Sequence, residues 1–217
     1  MVSEHHLQTR RSARYFTLGN AASPAEIWIL CHGYGQLAER FLARCAALDD
    51  GRRLIVAPEG LSRFYVAGVG GPDSKVGASW MTREDRLNEI EDYVAYLDAV
   101  HAAVVRAAGA ADAKLHVLGF SQGTATAARW AVRGKSRVQR LVLWAGLLPP
   151  EIDLGAAAAR LDAMDLVLVA GEDDGPVMEK LPEQRAALDA AGIRHRVETF
   201  AGDHRIDDAT LRRVAED

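Results

Sequence analysis

The chain predicts an α/β fold with a mostly parallel central sheet flanked by helices, and three observations lead there. Short aliphatic and β-branched runs alternate with longer segments of helical periodicity, the pattern of strands joined by helical crossovers. The pentapeptide Gly119-Phe120-Ser121-Gln122-Gly123 stands between an apolar run and a helix-like stretch, as a sharp strand-to-helix turn does. Several polar and charged residues fall just beyond the ends of apolar runs, where open parallel sheets expose them.

Taken in order, the run at 15–18 reads as an antiparallel edge strand and 27–31 as a buried strand that feeds His32-Gly33-Tyr34-Gly35. A helix over 37–48 and a strand over 54–57 follow. The segment 59–82 carries no period and contains Phe64, Tyr65, Gly68, Gly70, Gly71, Pro72 and Trp80, so it reads as a lid or binding loop. A helix over 84–108 leads to the strand at 115–118, and a helix over 122–132 leaves the sharp turn. The strand at 141–144 comes next; that at 166–170 ends in Gly171-Glu172-Asp173-Asp174. After a helix over 177–191, the last strand, 197–200, ends in Ala201-Gly202-Asp203-His204, and a helix over 207–216 closes the pattern. No repeat, low-complexity tract or linker interrupts it, so residues 1–217 are expected to form one domain.

The composition narrows the partners. A formal net charge of -4 without a basic stripe gives no general attraction to phosphate backbones or anionic lipid, so neither nucleic acid nor stable membrane association is expected. The N-terminal residues lack the charged and apolar regions of a secretory signal, which leads to the expectation of a cytoplasmic location. The 2 cysteines, Cys31 and Cys45, read as small buried hydrophobes.

The chemistry lies at the strand ends. Ser121 at the apex of a Gly-x-Ser-x-Gly turn is the arrangement of a nucleophile elbow, and Ser, Asp and His then follow in the chain order of an α/β-hydrolase. A serine hydroxyl needs a base, and the imidazole of His204 suits that task. A carboxylate must fix the imidazole tautomer; Asp173 and Asp174 are the adjacent candidates. The oxyanion needs fixed donors, for which the backbone N–H groups of Gln122 and Tyr34 are placed, leaving both side chains free to tune the pocket. Trp80 is expected to line the acyl pocket or its mouth. His32 is expected to order the oxyanion loop, His101 and His116 to pack, and His195 to be solvated. No zinc-binding spacing occurs and no metal or cofactor is expected.

These motifs, together with Ala78-Ser79-Trp80 and Trp144-Ala145-Gly146-Leu147, resemble the phospholipase/carboxylesterase family of small α/β-hydrolases, which includes acyl-protein thioesterases. The resemblance covers most of the chain. It implies an α/β-hydrolase fold with a minimal lid and a cofactor-free serine hydrolase acting on a small-molecule ester through an acyl-enzyme. It also implies Asp174 as the triad acid, three residues after the glycine ending its strand, with Asp173 as runner-up, and Leu147 at the pocket edge. A homodimer is an option within that family. Small loops suggest short acyl chains. The alternatives are an acyl-thioesterase, a lysophospholipase or another acyl-transfer enzyme on the same fold, and a non-catalytic binding module that keeps the scaffold. Two departures from the family pattern stand out: Asp203 where a second glycine is usual before the base, and Met81-Thr82-Arg83-Glu84 after Trp80.

Overall fold

A computed structural model describes residues 1–20, 22–69, 71 and 73–216; Gly70 and Pro72 of the expected loop lie outside them. The elements are β1 (Tyr15–Gly19), β2 (Glu26–Cys31), α1 (Ala38–Arg44), β3 (Arg53–Pro58), β4 (Ser62–Ala67), β5 (Lys75–Ser79), α2 (Arg86–Ala108) and β6 (Lys114–Phe120). They continue with α3 (Gln122–Arg133), β7 (Val138–Trp144), α4 (Leu154–Asp162), β8 (Asp165–Gly171), α5 (Gly175–Ala190), β9 (Arg196–Phe200) and α6 (Asp208–Glu216).

Seven strands form one sheet in the order β1-β3-β2-β6-β7-β8-β9. Only the edge pair β1 and β3 is antiparallel; the others run parallel, with Leu30, Leu118 and Val142 in register across β2, β6 and β7. Because successive side chains leave a strand on opposite faces, each apolar run feeds two cores. Ile27, Ile29, Val117, Leu141 and Leu143 pack with residues of α2, α3, α4 and α5. Their neighbours Trp28, Leu30, Leu118 and Val142 pack with residues of α1 and α6. The parallel direction brings the carboxyl ends of β2, β6, β8 and β9 to one edge, and the loops carrying His32, Ser121, Asp174 and His204 start there.

Three features depart from the sequence-based expectation. The expected loop contains a hairpin, β4 with β5, paired from Ser62↔Ser79 to Ala67↔Lys75 with a register shift between Tyr65 and Ala67. Its β4 strand is half-buried or exposed throughout, so no apolar run marks it. Helix α4 is concealed in an alanine run with a glycine at its second position; Asp153 caps it by accepting from Ala156 N–H at 3.1 Å. Helix α1 is also shorter than expected, giving way after Arg44 to a 3₁₀ turn over Ala46–Leu48.

Among the described residues no helix is long and apolar enough to cross a membrane.

Candidate active site

The turn between β6 and α3 forces Ser121 to φ 54° and ψ −118°, a region that side chains with a Cβ rarely occupy. The flanking glycines make the turn achievable. A Cβ on Gly119 would stand 2.2 Å from Gly123 O, and one on Gly123 would stand 2.0 Å from Cys31 O, so neither backbone could approach with any larger residue. Ser121 N–H donates to Trp144 O at 2.9 Å, and Ser121 O accepts from Thr124 N–H and Oγ1–H. The serine is thus held by main chain on both sides.

His204 sits on the loop after β9, where its Nδ1 lies 2.7 Å from Asp174 Oδ2. Asp174 is 5% exposed, whereas Asp173 points to solvent. The turn after β8 is locked to the loop after β9: Asp173 N–H donates to Gly202 O at 2.9 Å, and a Cβ on Gly171 would stand 2.3 Å from the same oxygen. The His204 ring packs on Phe120, the residue before Ser121, at 5.0 Å between centroids. No hydrogen bond joins Ser121 Oγ to His204 in this structure.

On the opposite side lies the loop after β2. A Cβ on Gly33 would stand 3.3 Å from Ser121 Cβ. Gly33 N–H donates to Gln36 Oε1 and Gly35 N–H to Ala78 O, which leaves the N–H of Tyr34 without an acceptor among the described residues. The N–H of Gln122 is equally unspent, as the first donor of a helix. Both belong to segments that flank Ser121. The Tyr34 side chain is 60% exposed and lies on Phe64 of the hairpin at 5.1 Å.

His32 is fully buried, and burial lowers its pKa, outweighing the hydrogen bond to Gly33 and the charge of Glu59. The neutral ring therefore carries its proton on Nδ1, donating to Gly33 O at 2.8 Å, while Nε2 accepts from Gly60 N–H at 2.9 Å. Because Gly33 O and Tyr34 N–H share one peptide plane, this bond also orients the unspent donor. Glu59 adjoins Gly60 and is 1% exposed; burial raises its pKa, but hydrogen bonds from Arg14 and Arg63 more than offset this and hold the carboxylate ionised.

Three expectations are corrected here. Trp80 is 2% exposed, donates its indole N–H to His32 O at 2.8 Å and packs on Tyr93, so it supports the loop after β2 from within the core. A groove of about 540 Å³ that Trp80 helps to line contains neither Ser121 nor His204. The Gln122 side chain is not free: its amide nitrogen donates to Met81 O at 2.8 Å, and its amide oxygen accepts from Trp80 N–H at 3.2 Å, tying α3 to the segment after β5. The His195 side chain is only 6% exposed, with Nδ1 3.1 Å from Ile193 O, rather than solvated. Leu147 is half-buried and lines a cavity of about 860 Å³ together with Ala125 of α3. Cys31 and Cys45 are buried free thiols whose pKa values burial pushes up. Among the described residues the one trio able to converge on a metal ion is Glu4, His6 and Asp85, all exposed.

A sharp strand-to-helix turn bearing Ser121, the Asp174–His204 pair and two N–H groups without acceptors among the described residues thus lie at one edge of a mostly parallel sheet. Residues 72–207 match the family model described as alpha/beta hydrolase fold, and the chain belongs to that family. No curated protein matches the sequence. Among solved structures it is similar to acyl-protein thioesterase 2 of Zea mays, at 18% identity and a TM-score of 0.71 over 94% of this chain and 97% of that one. It is also similar to a carboxylesterase from Mesorhizobium loti, at 18% identity and a TM-score of 0.70 over 96% of each chain. Esterase PE8 follows at 23% identity and a TM-score of 0.68, over 94% of this chain and 97% of that one. At these identities the likeness speaks for the fold.

Proposed function

We propose that this chain is a serine hydrolase that cleaves carboxylic esters through an acyl-enzyme. Ser121 Oγ attacks the scissile carbonyl while His204 Nε2 takes its proton, and the carbonyl oxygen becomes an oxyanion received by the N–H groups of Tyr34 and Gln122. The same proton then passes from His204 to the leaving alcohol, the acyl–Ser121 ester forms, and a water activated by His204 releases the acid. Asp174 holds the imidazole in the tautomer with Nε2 free and stabilises the imidazolium. The observation that carries this reading is the 2.7 Å contact of Asp174 Oδ2 with His204 Nδ1, on a ring that packs against the residue before the elbow serine.

A binding module would need neither the strained φ of Ser121 nor a buried acid behind His204, and backbone strain of this kind costs about 1–3 kcal/mol. Thioesterase and lysophospholipase activity are variants of the same chemistry. The similarity to a thioesterase and to two esterases supports the class and not the choice among them. A panel of aryl esters, acyl thioesters and lysophospholipids of graded chain length tests the proposal: hydrolysis of aryl esters with saturation supports it, and inactivity on all three classes contradicts it.

A further inference from the structure

The cavity of about 860 Å³ beside α3 is apolar at one end and ionic at the other. Ala125 and Arg129 stand four residues apart and so share one stripe of α3, whose N-cap is Ser121, and the helical rise places Arg129 about 12 Å beyond Ser121 along the helix axis. Near Ser121 the wall is made by Ala125 and Leu147; Leu147 follows Gly146, where a Cβ would stand 3.0 Å from Ser121 O. Two turns along, Arg129 is 5% exposed and bonded through Nε to Glu151 Oε1 at 2.6 Å. Arg86 donates to the same oxygen through one Nη at 3.0 Å, and its remaining N–H groups have no partner among the described residues. Lys180, also in the wall, makes no ion pair there. With Glu183 included, three cations face two carboxylates.

The direction of the substrate follows from the proton path. The leaving group must reach His204 Nε2 to be protonated, and no residue of the loop 201–207 lines this cavity. Its lining contains neither His204 nor Ser121; Ala125, four residues after Ser121, and Leu147, next to Gly146, are its nearest approach to the nucleophile, which leaves the acyl side as its place in the reading that follows. Resting on the ester-hydrolase reading above, we propose that the cavity receives acyl groups that end in a carboxylate, held by the free N–H groups of Arg86, with Lys180 of the same wall adding positive charge. A guanidinium reads a carboxylate through paired N–H donors, and Arg86 keeps such donors unspent. Side chains lean toward the helix N-terminus, so the span suits monoesters of dicarboxylic acids of about six to eight carbons.

The test compares 4-nitrophenyl hydrogen suberate with 4-nitrophenyl octanoate, which differ only at the distal end. The wild-type protein is expected to have the higher kcat/KM on the hydrogen suberate, and Arg86→Gln to lower the suberate-to-octanoate ratio by about tenfold or more, chiefly through KM. Lys180→Gln should lower it less. A wild-type ratio below one that neither variant moves overturns the proposal. Calorimetry with suberate probes the same site without turnover: binding weakened by Arg86→Gln supports the proposal, and no binding at millimolar ligand overturns it. Hydrolysis of 4-nitrophenyl acetate, which cannot reach Arg86, reports separately on the ester-hydrolase reading.

Discussion

Asp174 and His204 lie 30 residues apart in the chain, yet the acid's Oδ2 is 2.7 Å from the imidazole Nδ1. The contact depends on two strand ends, those of β8 and β9, being locked together by the bond from Asp173 N–H to Gly202 O. Of the two adjacent carboxylates, one is buried against the ring and the other is exposed.

Asp174→Asn is expected to lower kcat by about 10³–10⁴, because an amide favours the wrong imidazole tautomer. Asp173→Asn should change it by less than about tenfold, since that side chain meets solvent while the locking bond uses its main chain. Steady-state rates on one aryl ester decide the matter: equal losses would remove Asp174 from the assigned role.

Gly123→Ala should destabilise the fold by about 3 kcal/mol or more, because its Cβ would stand 2.0 Å from main-chain oxygen in a strand that cannot yield. Gly175→Ala, where a Cβ meets nothing within 4 Å, is the control and should stay within about 1 kcal/mol. Thermal unfolding of both variants checks this, with a fall in Tm of roughly 6–12 °C for the first. An unchanged Tm for Gly123→Ala would mean that the elbow is looser than described.

Trp80→Phe removes the donor to the buried His32 O and is expected to cost about 1–3 kcal/mol. Its effect on rate should be the same factor for every ester, since the loss passes through the loop after β2, which carries the proposed oxyanion donor, and not through acyl contact. Rates across a chain-length series check this. A loss that grows with chain length would put the indole against the acyl group.

Stability should fall with acid through His116. Burial, assisted by Arg140, Arg53 and Lys114 and opposed by Glu26, lowers its pKa to about 4. The unfolded chain takes up a proton near pH 6.5 that the native state refuses until about 4, so the unfolded state binds more protons in that window and stability drops as pH falls through it. The slope approaches ~1.4 kcal/mol per pH unit. Buried His32, also with a lowered pKa, acts with the same sign. Neither ring nitrogen of His116 makes a hydrogen bond, Glu26 Oε2 lying 3.9 Å from Nε2, and the ring stacks on Trp28 at 4.8 Å, so His116→Phe should keep the packing and flatten the slope. Urea unfolding at pH 7 and pH 5 measures it, and an unchanged slope would contradict the assignment.

The sheet is legible in the sequence because its inner strands are buried on both faces and so announce themselves as apolar runs; all seven strands lie where the sequence pattern suggests, with the more exposed β1 at the antiparallel edge. The elbow is legible for a different reason: Gly119 and Gly123 are demanded by close approach, and that demand leaves a spaced pattern in the chain. The hairpin escapes because its exposed strand has no apolar face to reveal it. Trp80 misleads since an aromatic beside a glycine-rich segment reads the same whether it lines a pocket or fills a core. The link between Arg86 and Glu151 spans 65 residues, and no local pattern encodes such a contact.

The role of Ser121 as nucleophile can be tested without choosing a substrate, by reaction with a fluorophosphonate probe and location of the adduct by peptide mass spectrometry. The expected result is one adduct on Ser121 and loss of labelling in Ser121→Ala. Aryl-ester hydrolysis should also fall by several orders of magnitude in that variant while it keeps the wild-type circular dichroism spectrum. Labelling at another residue, or substantial turnover by Ser121→Ala, would contradict the assignment.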